Sequence, residues 1–315
     1  MINRRSFITG IKSTTLSKNE INFLKNYKPW GIILFSRNIR SIKQTRRLTD
    51  HIKLTFKDKN YPILIDQEGG RVNRLKKIFK TNTFTSEFYG KLYLNDKKKF
   101  NLYYNLFVKQ TSDLLKVVGV NINTLPVLDL RSQGSSNIIG DRSFSNNVNI
   151  VSKIGDICIN LFHKNKIGTV IKHIPGHGLA KVDSHKKTPI VKKEKNYLIS
   201  NDFLAFKNKR SLFAMTAHII FHKIDKLNTV THSNKIIRLI RSNIKFKNLL
   251  MSDDISMKSL KYSIKDNTER AFTAGCDLVL HCNGDYKEML VVANSSPIIS
   301  KFIIKKTSQF YKIIS

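Results

Sequence analysis

Eight short apolar or β-branched runs, each followed by a stretch able to form a helix, constrain what this 315-residue chain can fold into. They are Ser6–Thr9, Gly31–Phe35, Pro62–Asp66, Gly119–Asn123, Ile167–His173, Leu212–His218, Leu249–Asp253 and Cys276–His281. Continuous apolar runs of this length suit strands covered on both faces, as in a parallel sheet. The intervening segments carry helix-start chemistry. Ser17-Lys-Asn-Glu20 has the spacing of a capping box, and Ser41–Leu54, Lys97–Val117, Val151–Lys164 and Thr268–Ala274 are further helix candidates. Eight strands alternating with helices predict an α/β fold, a single-domain (β/α)8 TIM-type barrel over residues 1–315.

The connections are uneven. The longest, Thr124–Lys166 and Ile174–Ser211, fall in the middle of the chain. In such barrels the loops that follow the strands build the active face. The scarce acids and the histidines cluster there. ILIDQEGGRVNRL supplies Asp66, Glu68, Arg71 and Arg74. The stretch after the fourth run supplies Asp129, Asp141 and Arg142, and IKHIPGHG supplies Lys172, His173 and His177. KVDSHKKTP adds Asp183 and His185, MTAHI adds His218, and LLMSDDISM adds Asp253 and Asp254. Seven of the 22 acids lie in these segments, which marks one end of the barrel as the candidate site.

Several of these residues also have a purely structural explanation. Asp254 suits the N-cap of the next helix. Glu68, Asp129 and Asp141 suit the orienting of arginines or the capping of turns. His218 fits a satisfied core histidine as well as a site residue, and His281 reads as structural. Gly69-Gly70 would let backbone approach a ligand closely. In the Asp183-Ser-His185 segment, a carboxylate near an imidazole would fix its tautomer and raise its pKa toward neutrality, which suits a general acid.

Charge balance points elsewhere at first. The chain has 56 Lys+Arg against 22 Asp+Glu, a net +34. Nucleic acid or an anionic membrane would attract such a charge. The lysines, however, are scattered among abundant Ile and Asn, all residues with A/T-rich codons, and no basic-aromatic binding motif appears. Composition rather than a polyanion partner is the expected cause. No stretch reaches the 18 or so apolar residues of a membrane span. The opening NRRSFITG lacks the apolar region an export signal needs, so a cytoplasmic location is expected. The three cysteines form no C-x-x-C pair and fit a reducing compartment.

The segments GIILFSRNI, IDQEGGRVNRL, PVLDL, GDRSFS, KHIPGHG, VDSHKKTP, MTAH and SDDISM together resemble glycoside hydrolase family 3, in its bacterial β-N-acetylhexosaminidase branch of cell-wall recycling. Ile174 stands where that family usually carries an aromatic, and no second domain is expected after the barrel. The resemblance implies a retaining β-N-acetylglucosaminidase acting on muropeptides by double displacement. It implies Asp253 as nucleophile, His185 as acid/base and Asp183 as its orienting partner. Asp66, Arg74, Arg142, Lys172 and His173 would contact the substrate. No cofactor, metal, nucleic acid or membrane is implied, and a monomer is expected. The alternatives within the fold are a β-glucosidase or β-xylosidase, or a phosphate-using N-acetylglucosaminidase. A zinc hydrolase built on His173, His177, Asp183 and His185 and a basic polyanion-binding module are the rivals from other classes.

Overall fold

The computed structural model describes residues 3–79, 83–132, 134, 137–184 and 186–315. Eight strands form a closed barrel: β1 (Arg5–Gly10), β2 (Pro29–Leu34), β3 (Ile63–Ile65), β4 (Ile122–Asn123), β5 (Gly168–Ile174), β6 (Phe213–Thr216), β7 (Leu249–Asp254) and β8 (Leu278–His281). Each pairs in parallel with its sequence neighbours, and β8 closes onto β1. The expected (β/α)8 architecture is therefore the one observed. Every residue of β2, β3 and β5 is buried, which is why these runs read as continuously apolar.

Around the barrel lie α1 (Lys18–Tyr27), α2 (Ile42–Thr55), α3 (Ser86–Asn95), α4 (Lys97–Val117), α5 (Val148–Lys164), α6 (Lys195–Ser200), α7 (Asn234–Ser242), α8 (Ile264–Ala274), α9 (Tyr286–Ser295) and α10 (Lys301–Ile314). Both bonds of the Ser17/Glu20 capping box form at the start of α1. The expected start of α8 at Thr268 is corrected to Ile264, because Ser263 accepts from Asp266 N–H and caps it there. Likewise α5 begins at Val148, where Asn147 provides the cap. The runs at 62–66, 119–123 and 212–218 contract to three, two and four strand residues, their remainder turning into loops.

Apolar side chains fill the barrel interior, among them Ile8, Ile33, Leu64, Ile122, Val170 and Met251. At the end where the strands begin, Trp30 and Phe213 meet edge to face with centroids 5.4 Å apart, and Phe310 of α10 packs on Phe213 at 5.5 Å. Trp30 Nε1 donates to Thr307 Oγ1 at 2.8 Å, so α10 plugs this end and no buried indole N–H is left unpaired. The interior is thus filled and closed below. Polar chemistry is left to the opposite mouth, where the strands end.

Candidate active site

Just beyond β3 the chain makes a tight hairpin, Gln67–Gly69 against Val72–Asn73. Gly69 and Gly70 adopt φ of +93° and +54°. A Cβ on Gly69 would sit 2.3 Å from the Phe84 carbonyl oxygen. At this glycine pair the protein's own Phe84 carbonyl packs closely on Gly69 and the Thr85 side chain on Gly70. The hairpin brings Asp66, Glu68 and Arg74 to the mouth.

These three join Lys172 of β5 and Arg142 in an alternating chain of charges. Arg74 reaches Asp66 at 2.9 Å, Lys172 Nζ reaches Asp66 at 3.0 Å and Glu68 at 2.6 Å, and Arg142 grips Glu68 through Nε and a terminal nitrogen at 2.8 and 2.9 Å. Thr124 bonds to Asp66 and receives the third Lys172 N–H at 2.8 Å. All three protons of the Lys172 ammonium are thereby committed to protein groups, and its side chain is 3% exposed. Arg74 keeps spare donors, with Nε unpartnered among the described residues. Burial alone would push the Asp66 carboxyl up, but Lys172 and Arg74 hold it far below the usual range. Glu68 is likewise held at about 2 against the pull of burial, by Arg142 and Lys172. Phe35, at the end of β2, lies between the Arg37 and Arg74 guanidinium groups, 4.8 and 5.2 Å from its ring centroid.

At the end of β5, the fully buried Asp129 organises the KHIPGHG segment. It accepts from His173 Nδ1 at 2.7 Å, from the His173 backbone N–H at 3.2 Å and from the His177 backbone N–H at 2.7 Å. A carboxylate acceptor at Nδ1 fixes the tautomer and leaves Nε2 as the ring nitrogen of His173 without a partner among the described residues. Asp129 was expected to orient arginines or cap a turn; it caps the His173–His177 turn through two backbone N–H groups and orients the His173 ring, not an arginine. Further along this loop, the Asp183 carbonyl accepts from Lys186 and Lys187 N–H, both at 2.9 Å. His185, the expected acid/base, lies outside the described residues.

The β7 strand ends in the Asp253-Asp254 pair, and the two carboxylates part ways. Asp254 accepts from Ser256 N–H, Ser256 hydroxyl and Cys282 N–H, so it stabilises the turn after β7 and does not cap α8, which begins ten residues later at Ile264. Asp253 accepts only the Asp254 N–H, at 2.8 Å, among the described residues, and its other oxygen stays open. Burial raises its pKa, but His173 and His218 outweigh that and hold it below the ordinary value. An ionised carboxylate with a free oxygen can act as a nucleophile or balance a cation. His218 donates from Nε2 to the Asp254 carbonyl at 3.0 Å, and its Nδ1 accepts from Thr231 at 2.7 Å. It is therefore satisfied on both nitrogens and braces the end of β7. His281 is buried against Glu288 at 2.8 Å, as a structural histidine would be.

The mouth thus gathers Asp66, Glu68, Arg74, Arg142, Lys172, His173 and Asp253 from β3, β5, β7 and the loop after β4. Sequence inspection missed Thr124, whose hydroxyl is indistinguishable from any strand-end threonine. The organising role of Asp129 had one signal, an acid inside the apolar VLDL run. Among the described residues, no three His, Cys, Asp or Glu side chains are arranged to hold a metal ion, and no helix is long and apolar enough to cross a membrane.

Comparison with known proteins adds an independent line. The family model described as the glycosyl hydrolase family 3 N-terminal domain matches residues 8–308. The β-hexosaminidase of Actinobacillus pleuropneumoniae serotype 5b is 32% identical over 286 residues, covering 88% of this chain and 80% of the relative. That of Haemophilus ducreyi is 32% identical over 287 residues, with the same shares covered. Among solved structures, NagZ from Neisseria gonorrhoeae in complex with N-trifluoroacetyl-D-glucosamine superposes with a TM-score of 0.86 at 26% identity, covering all of this chain and 91% of that one.

Proposed function

The chain belongs to the glycosyl hydrolase family 3 N-terminal domain family and is a glycosidase, and from that premise we propose that it is a retaining exo-β-N-acetylglucosaminidase of peptidoglycan-derived muropeptides. The observation that carries the mechanism is Asp253, an ionised carboxylate with one open oxygen at the end of β7. In the first step this oxygen bonds to the anomeric carbon as the glycosidic bond breaks, and His185 gives its proton to the departing oxygen. In the second, His185 takes a proton from water, the water oxygen bonds to the same carbon, and Asp253 leaves. Two inversions return the β configuration. Asp183, its neighbour in the loop, orients His185.

Arg74, with donors to spare, and His173, with Nε2 open, are the groups best able to bond sugar hydroxyls and the N-acetyl group. Lys172 acts by fixing Asp66 and Glu68, unless a substrate hydroxyl displaces one of its three partners. A cleft of about 1030 Å³ between the loops after β4 and β5 is lined by Arg131, Lys181, Lys192, Lys193 and Tyr197, and we assign it to the aglycone. This cationic lining suits the carboxylates of a muropeptide, and the same reading places the protein in the cytoplasm, where such fragments are recycled.

The test compares aryl β-N-acetylglucosaminide with aryl β-glucoside, with and without phosphate, and follows the anomer first released. Preference for the N-acetyl sugar by at least about a hundredfold, with β product and no phosphate requirement, is expected. Equal use of glucoside, an α product or a sugar phosphate would each contradict the proposal.

A further inference from the structure

Lys181, Val182, Lys186 and Lys187 are exposed, yet Ser184 among them is 3% exposed. A serine turned inward from a surface loop needs a polar partner. Ser184 Oγ has one in His177 Nε2, at 3.2 Å. His177 is itself 3% exposed, and its Nδ1 has no partner among the described residues. The Ser184 hydroxyl is therefore the ring's one polar contact among the described residues, and burial, with His173 close by, keeps His177 neutral, with its pKa near 4. Behind the ring, the His177 backbone N–H is held by Asp129, which also holds His173. Asp129 thus ties His173 to the His177 backbone, and the His177 ring in turn holds Ser184. The turn is tightened by the Asp183 carbonyl, and farther along Thr188 Oγ1 bonds to the Ser259 carbonyl at 2.7 Å.

We infer that His177 and Ser184 form a pin that holds the loop at Asp183–Ser184 to the β5 strand end, making both of them positioning residues for proton transfer. The inference rests on the proposed acid/base role of His185, to which Ser184 is covalently adjacent. Its chemistry predicts a particular pattern of damage. General acid catalysis matters most for a poor leaving group and little for an activated aryl oxide. The ratio kcat/KM reports on steps through the first bond cleavage, where the segment acts as acid. Losing the pin should therefore harm sugar or alkyl leaving groups and spare nitrophenolate.

The experiment measures kcat/KM for a nitrophenyl and for an alkyl β-N-acetylglucosaminide in wild type, Ser184→Ala and Ser184→Thr. In Ser184→Ala the alkyl/nitrophenyl ratio is expected to fall about tenfold, the scale of one lost buried hydrogen bond. In Ser184→Thr, which keeps the hydroxyl, it should stay within about twofold of wild type. The ratio does not depend on the fraction of folded protein. A ratio unchanged in Ser184→Ala, whatever the absolute loss, overturns the pin and leaves the proposed function standing. A wild type that turns over neither glycoside overturns both. If Ser184→Ala does not fold, His177→Leu removes the same bond from the other side and carries the same expectation.

Discussion

Replacing Glu68 by Gln isolates the energetics of the charge chain at the barrel mouth. Glu68 has a side chain 2% exposed, is gripped by both nitrogens of Arg142 and touches Lys172 at 2.6 Å. Its carboxyl pKa falls from 4.5 to about 2 because Arg142 and Lys172 outweigh the cost of burial. At roughly 1.4 kcal/mol per pH unit, the ionised form gains about 3 kcal/mol on folding. Because the folded-state value is the lower one, this stability is fully present above about pH 5 and is lost as pH falls from 4.5 toward 2. Gln keeps the shape but not the charge, and its amide turns N–H groups toward two cations. Urea unfolding at pH 7 should show Glu68→Gln less stable by about 3 kcal/mol, with a Tm lower by about 5–10 °C. The gap should shrink to about half near pH 3, where Glu68 is protonated in the unfolded chain but still ionised in the fold. A gap below about 0.5 kcal/mol at pH 7, or one that does not narrow in acid, would show that the network is not electrostatically coupled in this way.

Two further substitutions probe other buried groups. Asp202 is 3% exposed with Oδ1 unpartnered among the described residues, and burial, with Asp129 nearby, raises its pKa to about 7. A raised carboxyl favours the fold only while protonated, so wild type should lose stability between about pH 4 and 7. Asp202→Asn should match wild type near pH 4 and exceed it at pH 8, by at most about 4 kcal/mol; thermal melts across that range that stay parallel would rule this out. His218→Phe removes the brace on the Asp254 carbonyl, and a misplacement of the adjacent Asp253 should lower kcat about 10- to 100-fold with KM changed less than about threefold. Unaltered kcat would mean the brace is dispensable.

The barrel was legible because each strand is local in sequence and buried on both faces, so its apolar run needs no knowledge of its partner. The helices were less so. Amphipathic α10 shows its purpose only when Phe310 meets Phe213 and Thr307 meets Trp30, the latter some 280 residues earlier in the chain. The site divides the same way. That Asp66, Lys172 and Asp253 cluster at strand ends could be read from the chain, but their division of labour could not. The difference between Asp253 and Asp254 rests on Cys282 and Ser256 satisfying one carboxylate and not the other. Asp129 read equally as a partner for arginine or a turn cap, because its true partners, 44 and 48 residues away, are set by the folded β5 end. Gly69 and Gly70 advertised a close approach without revealing that Phe84 and Thr85 make it.

The most direct test of the mechanism is the turnover of nitrophenyl β-N-acetylglucosaminide by Asp253→Ala at matched folded concentration. Loss of the attacking carboxylate should lower kcat by at least about 10⁴-fold while the melting temperature stays within a few degrees of wild type. Hydrolysis within tenfold of wild type would mean that another group attacks the anomeric carbon, and that Asp253 is not the nucleophile.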